Sequence, residues 1–153
     1  MLFALTLAAV TSLLSPADDL QHTAARAERL GLPILLYVSR SDCSFCRRFE
    51  NDVLFPLIRS GEIDGKILIR ELEWDRSAPI ADFTGTRISA ATLAENYDAK
   101  LTPTLLFLDH EGKELISRMT GYHESDYASY YLEAAVDLAF QRMSATIQGE
   151  TGK

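Results

Sequence analysis

Residues 33–48 read PILLYVSRSDCSFCRR, and the reading of the whole chain turns on this stretch. Its first seven residues, PILLYVS, form a near-continuous apolar run of strand length. That pattern predicts a strand buried on both faces. Beyond it stand the chain's two cysteines, Cys43 and Cys46, separated by Ser44 and Phe45. From Cys43 onward, Cys46, Phe49, Val53 and Leu57 recur on one side of a helix expected to reach about Ile58. Pro56 lies inside that helix and has no N–H for the helical ladder, which predicts a kink or an end there.

A cysteine pair at a strand-to-helix junction admits four chemistries. A structural zinc site needs about four ligands. Here one pair is joined by His22, His110 and His123, all far apart in sequence, so no metal is expected. Covalent haem attachment needs a histidine directly after the second cysteine, and Arg47 stands there. A structural staple across so short a loop would constrain the unfolded chain little. The remaining chemistry is reversible exchange of a dithiol for a disulfide, the usual role of such a pair after a strand and at a helix start. A thiol attacks as its thiolate, and an ordinary cysteine titrates near ~8.5. The unpaired N–H groups and dipole of a helix N-terminus favour negative charge. Cys43 sits at that position and is expected to be the exposed nucleophile. Cys46, one turn on, is expected to face inward as the resolving thiol. Arg47 and Arg48 add positive charge beside them or form a solvated helix face. Asp42 opposes that charge or caps the helix. Phe45 is a contact for a partner or folds back on the core.

The rest of the chain frames this junction. Residues 18–30 predict a helix capped by Asp18 or Asp19 and stopped by Gly31. After a turn at 60–65, residues 66–72, KILIREL, predict a second strand. Residues 73–88 lack a clean period and contain Trp74 and Phe83, which either line a partner groove or fill the core. A short helix capped by Ser89 is expected to reach Tyr97. Residues 104–108 predict a third strand, Asp109–His110–Glu111–Gly112 a hairpin turn, and residues 114–119 its antiparallel partner. A long helix is expected from Ser125 to about Met143, with Ala128, Leu132, Val136, Ala139 and Met143 on one side. Residues 148–153 are read as a polar tail. Strand–helix–strand units demand parallel pairing, and the hairpin adds an antiparallel edge. An α/β fold with a mixed sheet between two layers of helices follows.

At 153 residues, 47% hydrophobic and 24% charged, the chain fits one globular domain with one core. Its net charge of −7 comes without a lysine and arginine block, so no nucleic-acid partner is expected. Residues 1–14, MLFALTLAAVTSLL, carry no charged side chain, and the first charge is at Asp18. The run is short for a membrane span of roughly 20 residues and suits the core of a secretory leader. Small residues at Ser15 and Ala17 predict cleavage after Ala17, although no Lys or Arg precedes the run. The expectation is a signal peptide at 1–17, a domain at 18–147 and no stable membrane insertion once the leader is removed. The alternatives are an N-terminal element packed on the domain and an uncleaved anchor.

Three pieces of sequence together resemble the thioredoxin superfamily, and in particular its exported bacterial thioredoxin-like members. PILLYVSRSDCSFC resembles the strand leading to the active site. LTPTLLFLDHEGKEL resembles the proline strand with its turn and hairpin. MTGYHESDYASYY resembles the closing glycine and the last helix. The resemblance implies a thioredoxin fold with an additional N-terminal helix. It implies that Thr102–Pro103 is a cis peptide facing the cysteines, and that the backbone of Thr102 pairs with a bound substrate as a short strand. The substrate-contacting residues it implies are Ser44, Phe45, Thr102 and Pro103. The chain departs from thioredoxins proper in three ways. Asp42 replaces the tryptophan before the first cysteine, and Ser44–Phe45 replaces Gly-Pro between the two. Tyr37 stands where those proteins bury a carboxylate, so water or a carboxylate from elsewhere must take the proton from Cys46. The implied function is a thiol–disulfide oxidoreductase of periplasmic type acting on protein disulfides, with an upstream thiol–disulfide partner and no cofactor. The alternatives are a redox-sensing or binding module without turnover, and a glutathione-linked iron–sulfur protein of glutaredoxin type.

Overall fold

The structure, a computed structural model, describes residues 13–122 and 127–151, the last two by backbone alone. Most of the expected leader and the expected helix start at Ser125 lie outside the described residues. Chain order is α1 (Leu20–Leu30), β1 (Ile34–Ser39), α2 (Ser44–Phe49), a π-helical turn (Glu50–Leu54) and α3 (Phe55–Ser60). There follow β2 (Leu68–Glu73), β3 (Ile80–Ala81), β4 (Arg87–Ile88), α4 (Ala90–Asn96), β5 (Thr104–Leu108), β6 (Met119–Thr120) and α5 (Ala128–Thr151). The main sheet has the order β2-β1-β5-β6. β1 pairs in parallel with β2, Tyr37 opposite Glu71, and antiparallel with β5, Tyr37 opposite Leu105.

β1 is central, and all six of its residues are buried. Alternation along β1 sends Leu35 and Tyr37 to one side and Ile34, Leu36 and Val38 to the other. Two apolar clusters result. The first joins Leu35, Tyr37, Leu105 and Phe107 to both cysteines, Phe49, Val53 and the inner face of α5. The second joins Ile34, Leu36, Val38, Leu106 and Leu108 to α1 and α4. Burying each such side chain fully contributes roughly 1.5–3 kcal/mol relative to exposure.

The helix ends follow the local signals. Asp19 caps α1 by accepting from the His22 N–H at 2.7 Å, and Gly31 closes it in the left-handed region at φ 65°. Ser89 caps α4 by accepting from the Thr92 N–H at 3.0 Å. The helix after the cysteines does not end at Pro56 but continues through Ser60. The backbone widens one turn earlier: the Phe55 N–H reaches the Glu50 carbonyl, five residues back, and Pro56 begins α3 as one of its first residues. The missing donor therefore falls in a turn where the ladder has already been relaxed.

Three expectations are corrected. The strand expected at 114–119 is reduced to a bridge at Glu114 opposite Leu108 and to β6. Between them Arg118 turns its guanidinium to the carbonyls of Tyr97 at 2.6 Å and Asp98 at 3.3 Å while pairing with Glu114, which draws the chain off the ladder. Residues 73–88 contain a small hairpin, β3 with β4, closed by Asp82, whose Oδ1 accepts from the N–H groups of Thr84 and Thr86. α5 runs on through Thr151, so residues 148–151 are helical where a tail was expected. Ile147 holds that extension against the molecule, with its Cδ1 3.3 Å from where a Cβ on Gly31 would stand.

The chain entering α1 is also part of the sheet. Ser15 accepts from the Glu71 N–H at 2.9 Å, and the Ala17 N–H donates to the Glu71 carbonyl at 2.8 Å. Leu14 and Ala17 are buried.

Candidate active site

The site is built where β1 ends. The turn after Ser39 is clamped by Asp75, whose carboxylate accepts from the Ser41 N–H at 3.0 Å and the Ser41 hydroxyl at 2.6 Å. The Ser41 hydroxyl holds the Asp75 carboxyl below the usual carboxylate range. Arg40 folds across the same turn, its guanidinium donating twice to the Asp42 carbonyl, at 2.8 and 3.2 Å. The loop that carries the first cysteine is therefore tied to the segment after β2, a tie the sequence reading did not contain.

Cys43 is itself the N-cap of α2, with extended backbone and its Sγ accepting from the Cys46 N–H at 3.1 Å. Asp42, expected as a possible cap, is exposed and leaves that role to Cys43. The two cysteines are joined as a disulfide with Cα atoms 5.2 Å apart. Both cysteines are enclosed: Cys43 is 5% exposed and Cys46 2%. The expected contrast between an exposed nucleophile and a shielded partner is thus small in the oxidised state, because the surrounding loops cover both. Ser44, Arg47 and Arg48 lie on the exposed side of the helix. Phe45 is 55% exposed, so it does not fold back on the core.

The loop before β5 covers the disulfide. The Thr102–Pro103 peptide is cis, and the Thr102 hydroxyl donates to Cys43 Sγ at 3.3 Å. The loop is fixed from both sides: the Pro103 carbonyl accepts from the Gly121 N–H at 2.8 Å, and the Thr104 hydroxyl donates to the Leu101 carbonyl at 2.6 Å. Thus Cys43, Cys46, Ser44, Phe45, Thr102 and Pro103 are brought together. A cleft of about 440 Å³ beside Cys43 is lined by Phe45, Leu101 and Thr102 together with Arg40, Asp42 and Lys100. A second depression of about 330 Å³, mostly apolar, lies between Phe45, Leu101 and Tyr122. Trp74 and Phe83 line neither cleft; both pack against the second apolar cluster, with Lys100 Nζ 5.3 Å from the centre of the Trp74 ring.

The buried cluster that holds the disulfide also holds a polar contact that the sequence reading did not contain. Tyr37 is fully buried, and its hydroxyl donates to Glu50 Oε1 at 2.8 Å. Burial, with the negative charge of Glu50, pushes the Tyr37 phenol far above its ordinary range. Glu71 accepts from the Ser39 hydroxyl at 2.7 Å. Burial raises its carboxyl, the Ser39 hydrogen bond opposes that rise, and the Glu50 charge adds to it. Among the described residues, no group of three or more His, Cys, Asp and Glu could hold a metal ion.

Comparison with known proteins agrees with this geometry. The model of a thioredoxin-like domain family matches residues 20–135. Curated protein sequences give no match. Among solved structures, a DsbH oxidoreductase superposes with a TM-score of 0.60 at 16% identity, covering 91% of this chain and 93% of that one. A thioredoxin-fold protein from Helicobacter pylori gives 0.53 at 22% identity, covering 91% of this chain and 88% of that one. Thioredoxin O2 from Arabidopsis thaliana gives 0.53 at 13% identity, covering 82% and 93%. At these identities the superpositions speak for the fold, and the family match together with the Cys43–Cys46 disulfide speaks for thiol–disulfide oxidoreductase chemistry. The chain belongs to the thioredoxin-like domain family.

Proposed function

We propose that the protein exchanges its Cys43–Cys46 pair with disulfides of other proteins, and that it works as a reductase outside the cytoplasm. One observation carries the protein-substrate reading. Cys43 lines a cleft together with Thr102 and with Phe45 and Leu101, both exposed. Such a strip suits an extended segment of polypeptide, whose backbone would run beside Thr102 and whose apolar side chains would cover Phe45 and Leu101. In the reducing direction the Cys43 thiolate attacks one sulfur of the substrate disulfide. A mixed disulfide forms and the first substrate thiolate leaves with a proton from water. Cys46 then attacks Cys43 Sγ, the protein disulfide closes, and the second substrate thiol is released. An upstream dithiol partner restores the reduced pair.

The export reading is supported by the uncharged run at 1–14. The pairing of Ser15 and Ala17 with Glu71 weighs against a cut after Ala17 and in favour of a mature chain that keeps these residues. Mass spectrometry of the native protein, fractionated by compartment, tests this. Recovery from the cytoplasm would remove the export reading.

A Cys46→Ser variant tests the exchange. The variant should lose turnover in a protein-disulfide reductase assay and accumulate substrates bound through Cys43. A reduced parent protein that reacts with small oxidants, yet neither turns over nor captures a protein through Cys43, would mark a sensing or binding module instead.

A further inference from the structure

The cleft beside Cys43 differs in charge from the chain that builds it. Asp and Glu outnumber Lys and Arg by 22 to 15 over the whole sequence. The cleft instead holds two cations, Arg40 and Lys100, and one carboxylate, Asp42. Arg40 donates to the Asp42 carbonyl, and a carbonyl does not cancel its charge. Lys100 pairs with Glu95, but both side chains are exposed, and an exposed pair yields readily to a second carboxylate. The nearby acid Asp75 is engaged by the Ser41 N–H and hydroxyl. Arg47 and Arg48 add two exposed cations on α2, one turn beyond Cys43 and Ser44. An apolar depression adjoins the cleft. Phe45, Leu101 and Thr102 line both, and the remaining lining of the second is Thr120, Gly121 and Tyr122, none of them charged. A segment lying across the three shared residues reaches the cations in one depression and Tyr122 in the other.

We propose that the preferred substrates are acidic-apolar segments: a carboxylate on one side of the reactive cysteine, taken by Arg40 and Lys100, and an apolar side chain on the other, taken by Leu101 and Tyr122. The inference rests on the exchange of protein disulfides proposed above and names which of them are selected. In an extended segment, residues two positions either side of a cysteine share its face, so the selecting side chains belong there. The net charge of −7 would repel such a segment, and range decides between the two fields. At about 0.1 M salt a charge is largely screened beyond roughly 10 Å. The cations at the cleft act within that distance of a bound carboxylate, and most of the acidic surface does not.

The test uses the reduced protein and disulfide-linked dimers of short peptides with one cysteine. Each peptide carries leucine two positions to one side and glutamate, glutamine or lysine two positions to the other, and is made in both orders. Cys43 attacks one peptide sulfur, the Cys43–peptide disulfide forms, the peptide disulfide breaks, and the freed peptide leaves as a thiolate that takes a proton from water. Freed thiol is counted against time. Each rate is divided by that of mercaptoethanol with the same peptide, which removes the effect of the peptide's own charge on its sulfur. In its better order the glutamate peptide should react about 10-fold faster than its lysine counterpart at about 0.1 M salt, and the gap should shrink at about 1 M, where screening acts over roughly 3 Å. Replacing the leucine by serine should slow the glutamate peptide about 5-fold. Lys100→Glu should bring the glutamate-to-lysine ratio to about one or below. Equal rates, a faster lysine peptide, or a gap indifferent to salt overturns the charge preference and leaves the exchange intact. A serine peptide as fast as the leucine one overturns the apolar half. A folded Lys100→Glu chain with the parental ratio overturns the role of the cleft; if that chain does not fold, the salt series on the parent decides. A parent that frees no thiol from any peptide overturns the exchange reading and this inference with it.

Discussion

The two faces of β1 carry different kinds of interior. Toward α1 and α4, Ile34, Leu36 and Val38 meet Leu20, Ala27, Leu93 and Leu106, and the side chains in the middle of that layer are aliphatic. Toward α2 and α5, the neighbours of Leu35 and Tyr37 include both cysteines, and a phenol, two carboxylates and a serine hydroxyl are joined in short hydrogen bonds. The same strand thus borders an aliphatic layer on one side and a layer with buried polar contacts beside the cysteines on the other.

The contrast predicts unequal responses. Leu36→Ala should have the largest effect on stability, a loss of about 2–5 kcal/mol in urea unfolding, since the side chain is fully enclosed by aliphatic neighbours. Its reduced form should still alkylate at Cys43 at the parental rate while folded. A matching loss of Cys43 reactivity would mean that the faces are not independent. Tyr37→Phe should cost less, about 1–2 kcal/mol, because it removes one hydrogen bond to a charged group and keeps the ring packed on Phe49. A loss as large as that of Leu36→Ala would show that the polar layer also bears the fold.

Glu71→Gln should have the smallest effect, and it is one of sign. The Glu71 carboxyl is raised by burial, so the folded chain binds that proton more tightly than the unfolded chain does. Its contribution is complete below the ordinary carboxylate range and is lost as pH rises through the raised value. Gln cannot ionise and can still accept from Ser39. The variant should therefore match the parent at acid pH and exceed it in stability above the Glu71 titration. A parent that is the more stable of the two near neutrality would reverse this account of the carboxyl.

Much of the fold was legible because its signals are local. An apolar run made β1 readable, Asp19, Gly31 and Ser89 marked helix ends, and the spacing of Leu132, Val136, Ala139 and Met143 gave the buried side of α5. The cysteine pair and Thr102–Pro103 were legible for the same reason, being short motifs with their own chemistry. What escaped the reading is long-range or lies on exposed helix. Ser41 meets Asp75 across 34 positions and Tyr37 meets Glu50 across 13, and no periodicity records such partners. The extension of α5 past Met143 is mostly polar and exposed, so it carries no core pattern apart from Ile147. The hairpin strand was over-read because Arg118 finds carbonyls on another element, a choice invisible to alternation.

The short pairing of Ser15 and Ala17 with Glu71 has a consequence for the behaviour of the protein in a crowded solution. β2 is the outer strand of the main sheet on that side, and an outer strand with open N–H and C=O groups is a template for a neighbouring chain. Residues 15–17 occupy both groups of Glu71, and Pro16 at the bridge presents no donor of its own outward. A chain starting at Asp18 would open that edge and lose Leu14 from the cluster around the disulfide. In a chain that keeps these residues they cover that position of the edge, and a chain starting at Asp18 should associate strand against strand more readily, which light scattering of the two forms would measure.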